Sequence, residues 1–295
     1  MMNEQTLFSS LIAKHIRAIE SEVKGVRKNK DIEPLHQMRV SLRRLKGGLS
    51  DFKDVLPARE YELAIGNIQR LLRSLGQARD IDTKIAFLND LLSSLAAQKH
   101  KAGILEIIDE LREDRNEIQP RIQKNLARLQ QKHILRSIMR LKPSLEEAGM
   151  TLDEFAKNRI LARLEKMFSL EPYVRKPACS KELHKMRIAA KNLRYTLENF
   201  QRLYGSRKVR SFSLSALKVQ KALGEVHNYD VWLGLMAILK ESSGRDWHFR
   251  RAVNFLSSEC GQRRLRAYQD FIKLWAGFKR RKTWARLSFF TLDRQ

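Results

Sequence analysis

Two stretches of this sequence set ionisable side chains at helical spacing along the edge of an apolar face. The first is LHQMRVSLRRLKGGLSDF, Leu35–Phe52; the second, LHKMRIAAKNLRYTLENF, spans Leu183–Phe200. On a helix, side chains three or four positions apart share a face. Leu35, Met38, Leu42, Leu45, Leu49 and Phe52 then form an apolar stripe, and His36, Arg39, Arg43 and Lys46 form a cationic one beside it. The second stretch repeats both, with Leu183, Met186, Ala190, Leu193, Leu197 and Phe200 apolar and His184, Arg187, Lys191 and Arg194 basic. The chemistry on offer is anion binding. Guanidinium groups present forked donors, ammonium groups carry compact charge, and imidazole adds an N–H that donates more strongly when protonated. Because the basic stripe borders the core face, its stems can lie on apolar neighbours while its heads meet in a shared groove. From His36 to Lys46 the helix rises roughly 15 Å, long enough to follow several successive phosphates.

Other chemistries fit less well. His-x-x-Arg puts a cation one turn from any metal on the histidine, and no carboxylate shares that face at ligand spacing. A phosphohistidine intermediate would need a glycine-rich nucleotide cradle, which the chain lacks. No catalytic group, cofactor or metal site is expected. For His36 and His184 the structural alternative is a hydrogen-bonded, partly buried histidine. For the stripes as a whole it is a solvated face, a reading that recurrence beside the apolar face weakens.

Composition points the same way. Among 295 residues, 58 Lys and Arg stand against 33 Asp and Glu, a net charge of +25. Such an excess opposes compaction and invites a polyanionic partner: nucleic acid, an anionic membrane or a non-nucleotide polyanion. Hydrophobic residues at 43% allow a sizeable interior, and only 13 Gly and 6 Pro interrupt the chain. No run alternates apolar and polar residues over a strand's length, so the fold class is all-α. Cys179 and Cys260 stand in no metal-ligand spacing, which suits a reducing compartment. The start MMNEQTLFSS lacks the marks of a secretory signal, and no apolar run approaches the ~18 residues of a membrane span. A soluble, cytoplasmic protein is expected.

The elements that must position the stripes follow from periodicity and punctuation. Residues 3–28 read as an amphipathic helix ended by Gly25 and the polar run after it, with Pro34 in the first turn of the next. A third helix runs from Arg59 to Leu75, where Gly76 supplies a break, and Asp82 lies in the opening of a fourth that ends near Ala97. A fifth over Ile104–Ile118 and a sixth over Arg121–Leu141 flank Pro120. Thr151-Leu-Asp-Glu154 is a candidate capping box restarting the chain. Six further helices follow at about 152–169, 180–204, 207–223, 229–242, 246–260 and 262–282. His36 and His184, Gly76 and Gly224, and Asp82 and Asp230 each stand 148 residues apart, so Leu35–Asp82 aligns without a gap to Leu183–Asp230. In that register Arg70 meets Lys218 and Arg73 meets Lys221. The chain therefore reads as one domain, 1–295, of two duplicated halves, 1–148 and 149–295. Asp82 and Asp230 most simply cap the helix after each glycine, or else brace a groove arginine.

The final segment, Gly261–Gln295, holds ten Lys and Arg against two Asp, with Arg263, Arg264, Arg266 and Lys279–Lys282 its densest parts. Trp275, Phe278 and Trp284 among them could stack nucleobases or meet a membrane surface, but packing of the last helix is the favoured reading.

The pairing of LHQMRVSLRRLK with LGQARDID, repeated as LHKMRIAAKNLR with LGEVHNYD, resembles the CHAD family, helical domains named for their characteristic histidines. The resemblance covers nearly the whole chain. It implies two antiparallel helical bundles related by a pseudo-twofold axis, with a basic groove or pore between them. It also implies binding of inorganic polyphosphate and an ability to associate with polyphosphate granules, and the chain is read as a binding protein rather than an enzyme. Carried over, the ligand contacts are His36, Arg39, Arg43 and Lys46 and their counterparts His184, Arg187, Lys191 and Arg194; the matched Arg70, Arg73, Lys218 and Lys221 join them. Two departures stand out. Arg44 is answered by Asn192, and Arg79-Asp80 becomes His227-Asn228, leaving Asp82 and Asp230 matched. Nucleic-acid binding is the second choice, and a metal-dependent phosphohydrolase or phosphotransfer enzyme the third.

Overall fold

The computed structural model describes residues 3–94, 98–131, 133–204, 206–241 and 246–280, with the backbone alone at 206–208. All the regular structure among them is helical. The chain divides into two compact units, Met1–Met150 and Thr151–Gln295. The first holds α1 (Glu4–Lys28), α2 (Glu33–Asp51), α3 (Ala58–Leu92), α4 (Lys101–Gln131) and the short α5 (Ile134–Met139). The second holds α6 (Leu152–Phe168), α7 (Ser180–Phe200), α8 (Ser206–Glu241) and α9 (Trp247–Arg280).

In the first unit α2 packs between α1 and α3, and α3 packs on α4. All six apolar residues of the α2 stripe, Leu35 to Phe52, are at most 2% exposed. Burying side chains of this size stabilises by roughly 1.5–3 kcal/mol each, which outweighs the cost of holding cationic stems at the edge of the core. Asn3 caps α1 by accepting from Thr6 N at 2.9 Å. Gly25 does not end α1, which continues to Lys28 and closes on left-handed Asn29. Gly25 serves instead as the place where Pro34 of α2 comes close: a Cβ there would lie 2.6 Å from the proline ring.

The second unit opens on the expected capping box. Glu154 N donates to Thr151 Oγ1 at 3.3 Å, and Thr151 N donates to Glu154 Oε2 at 2.8 Å. In this unit α7 packs against α6 and α8, and α8 against α9. Trp275 and Phe278 of α9 are buried; Trp275 Nε1 donates to Glu171 and its ring meets Phe168 and Phe271. They pack the last helix, while Arg281, Lys282 and Trp284 lie outside the described residues.

Four expected breaks are absent. Gly76, Gly224 and Gly261 lie within continuous helices, and Pro120 lies inside α4. The expected helix pairs 59–75 with 79–97, 104–118 with 121–141, 207–223 with 229–242 and 246–260 with 262–282 are therefore not separate elements at those points. A helix-interior glycine costs only about 1 kcal/mol relative to alanine. In α3 the buried Leu71, Leu75, Ala78 and Ile81 span Gly76 and hold the helix on its neighbours. At Pro120 the cost is nearer 3 kcal/mol, and Ile122, Leu126 and Leu129, all 3% exposed or less, carry the helix on past it.

Candidate phosphate-binding helices

Each unit sets its basic stripe against the helix that follows it. Arg39 Nη1 donates to the Gly76 carbonyl at 3.3 Å and to Asp80 Oδ1 at 3.1 Å. Three residues earlier on α2, His36 feels the charge of Arg79, three residues later on α3. The contacts step in opposite directions, so the two helices run antiparallel. The same register recurs at an interval of 148 in the second unit. There the Arg187 Nε lies 3.5 Å from where a Cβ on Gly224 would sit, and the His184 and His227 rings meet at a tilt of 39° with centroids 3.9 Å apart. The glycines are thus seats for guanidinium groups on a helix surface.

The seats explain why the stripes can stay at the edge of the core. Arg39 is 12% exposed, its stem laid across α3 and its head held by a carbonyl and a carboxylate, whereas Asp80 is 64% exposed. Arg43 and Lys46 are half-buried further along α2, and Lys191 on α7 likewise. Arg194 contacts Glu198 one turn on at 3.5 Å and lies over the Tyr195 ring at 4.6 Å. On the facing helices Arg70, Arg73, Lys218 and Lys221 are exposed. Arg70 also lines a small cleft with Asn67, Asn125 and Arg128. Arg44 belongs elsewhere: its charge bears on buried His15 of α1.

Both stripe histidines are held below their ordinary pKa. For His36 burial is the main cause, followed by Arg79; Glu33 opposes. For His184 burial again leads, then Arg187 and Lys191, with Asp230 opposing. Each imidazole is therefore pushed toward its neutral form, and the stripe's standing charge comes from Arg and Lys.

Asp82 and Asp230 cap nothing, because the helices run through them. Each instead accepts from an arginine of the unit's long last-packed helix, not from a stripe arginine. Arg115 of α4 donates from Nε to Asp82 Oδ1 at 2.9 Å, from Nη2 to Asn29 at 2.7 Å and from Nη1 to Gln119 at 3.2 Å. Arg264 of α9 donates from Nε to Asp230 and from Nη2 to the Pro177 carbonyl at 2.7 Å. Arg264 is thus a clamp, and Arg263 beside it pairs with Glu259 at 2.6 Å.

Sequence reasoning names every stripe residue but not Arg79 and His227, which face the stripe histidines. Their signal is their position three residues past each glycine, and it becomes visible only when the helix is continuous. Among the described residues no three His, Cys, Asp or Glu side chains gather as metal ligands, and no helix is long and apolar enough to cross a membrane.

Comparison with known proteins agrees with this architecture. The family model of the CHAD domain matches residues 10–237. The crystal structure of the CHAD domain from the plant Ricinus communis superposes with a TM-score of 0.71 at 22% identity, covering 94% of this chain and 92% of that one. PptA from Streptomyces chartreusis gives a TM-score of 0.71 at 12% identity, covering 93% of this chain and 100% of its own. At such identities these likenesses speak for the fold. Among curated proteins none matches significantly.

Proposed function

This chain belongs to the CHAD family, and on that premise we propose that it binds inorganic polyphosphate along the stripes of α2 and α7. The family is linked in general to polyphosphate and triphosphate binding. The observation that carries the reading for this chain is the recurrence, in each unit, of a guanidinium seated on a helix glycine within a line of His, Arg and Lys. A linear polyanion has no bases or sugars to read, so a row of donors at successive helical turns suits it. The groups on offer donate hydrogen bonds and supply positive charge, which is binding chemistry; we propose no turnover. Of the three aromatics that could stack nucleobases, Trp275 and Phe278 are buried in the α9 packing and Trp284 lies outside the described residues. A cytoplasmic location on polyphosphate granules is part of the same proposal.

The test is competition. Long-chain polyphosphate, duplex DNA and RNA are titrated at equal phosphate concentration and several salt concentrations. Polyphosphate should displace both nucleic acids. Preferential binding of DNA or RNA would replace this reading with a nucleic-acid one.

A further inference from the structure

The two units differ at one place that touches the stripe. Where the charge of Arg79 bears on His36 in the first unit, the His227 ring meets His184 in the second, tilted by 39° with ring centroids 3.9 Å apart. Two imidazoles at that distance resist double protonation, because like charges would meet in a partly desolvated place. His184 Nδ1 is buried and makes no hydrogen bond among the described residues. The charged groups that bear on His184 are Arg187 and Lys191 of its own helix and Asp230 of α8. On the α9 side, Arg264 holds Asp230. Arg187 and Lys191 oppose protonation of His184, and the carboxylate that favours it, Asp230, is held by Arg264.

We propose that His184 and His227 form a phosphate-contacting pair that takes up a proton from solvent when a polyphosphate group binds beside it, the role that Arg79 fills in the first unit with a fixed charge. The inference rests on the polyphosphate reading above. No bond to phosphorus forms or breaks; the proton settles on an imidazole nitrogen and its charge is balanced by the bound anion. An anion added beside the pair favours the charged form, so proton uptake and binding are linked and affinity rises as pH falls. The second stripe is therefore proton-tuned, and the first less so because Arg79 is charged throughout.

Calorimetry with long-chain polyphosphate, whose internal groups stay ionised across the range, reads this directly. Runs in two buffers of different ionisation enthalpy, from about pH 8 to about pH 6, count the protons taken up across the range where imidazole titrates. Wild type should take up protons and bind more tightly at the lower pH. His227→Arg should lose most of that uptake and bind about tenfold more tightly at the higher pH, the size of one charge-assisted hydrogen bond after screening. His227→Gln, which keeps a donor of similar reach, should match wild type at the higher pH and fall behind at the lower. Arg79→His should add uptake. Circular dichroism establishes that each variant is folded, and His227→Gln decides the matter if His227→Arg is not. Uptake unchanged in the position-227 variants, or binding that ignores pH in wild type, overturns the proton-tuned pair alone. No binding heat at any pH overturns the polyphosphate reading and the pair with it.

Discussion

Asp80 is the residue whose removal should improve binding. Its carboxylate accepts from Arg39 at 3.1 Å while standing 64% exposed, so it competes with an incoming phosphate for the same guanidinium and repels that phosphate as well. The second unit has Asn228 at the matching position. Asp80→Asn makes the first unit resemble the second there. Exposed ion pairs are worth roughly 0.2–1 kcal/mol, and that is the competition removed. Affinity for long-chain polyphosphate should rise by about 1.5- to 5-fold, since 1.4 kcal/mol is tenfold. Thermal stability should fall by no more than about 3 °C, because the lost pair is small and Arg39 keeps the Gly76 carbonyl at 3.3 Å. Arg39→Gln is the companion. It removes a charge-assisted hydrogen bond worth about 1.5–3 kcal/mol before screening, so affinity should drop roughly tenfold. Arg44→Gln, on the α1 side, is the control and should change little. Calorimetric titration of the three variants under one salt condition decides it. If Asp80→Asn binds more weakly than wild type, Asp80 orients Arg39 for the ligand and the competition argument is wrong.

Further outcomes follow from buried groups. Asp82→Ala leaves the Arg115 guanidinium, 10% exposed, without its carboxylate; denaturant unfolding should show a loss of about 3–5 kcal/mol, and a loss under about 1 kcal/mol would mean the pair is not the clamp described. His15 is buried, with its pKa lowered to about 4 from 6.5, first by burial and then by Arg44. Between those values the unfolded chain binds the proton and the folded one does not. Stability is therefore full above about pH 6.5 and declines as pH falls toward about 4, by up to roughly 3 kcal/mol. His15→Leu should flatten that part of the stability profile, and an unaltered acid midpoint would remove His15 from the account. Gly76→Leu crowds the seat of Arg39 and should weaken polyphosphate binding, whereas Gly76→Ala, whose Cβ would lie 3.9 Å from the guanidinium, should leave it intact. Equal loss in both variants would show that the seat has no room for a methyl group.

The stripes and the helices that carry them are legible in the sequence because each is an unbroken run of one period, and a buried apolar stripe fixes which edge the cations occupy. Helix ends are less legible. Glycine and proline mark breaks on average, but at Gly76, Gly224, Gly261 and Pro120 the packing on both sides outweighs the local cost. That misreading hides Arg79 and His227, since a break at Gly76 or Gly224 would turn them off the stripe's line. It also makes helix caps of Asp82 and Asp230. Their partners Arg115 and Arg264 lie some thirty residues on, in another helix, where no periodicity connects a carboxylate to its cation. Arg264 reads as surface charge from its basic neighbours, although its guanidinium is spent on Asp230 and a carbonyl.

The central claim is that polyphosphate is held by the cations of α2 and α7, and the salt dependence of its binding tests that most directly. Each phosphate neutralised releases condensed counterions, so log affinity falls linearly with log salt, with a slope near −0.7 to −0.9 per contact on nucleic acids. Wild type should show a slope of several units with long-chain polyphosphate. The variant Arg39→Gln, Arg43→Gln, Arg187→Gln, Lys191→Gln, folded by circular dichroism, should lose up to about three units of slope along with most of its affinity. A steep wild-type slope that the fourfold variant retains would place the polyanion on other parts of this basic surface and contradict the account.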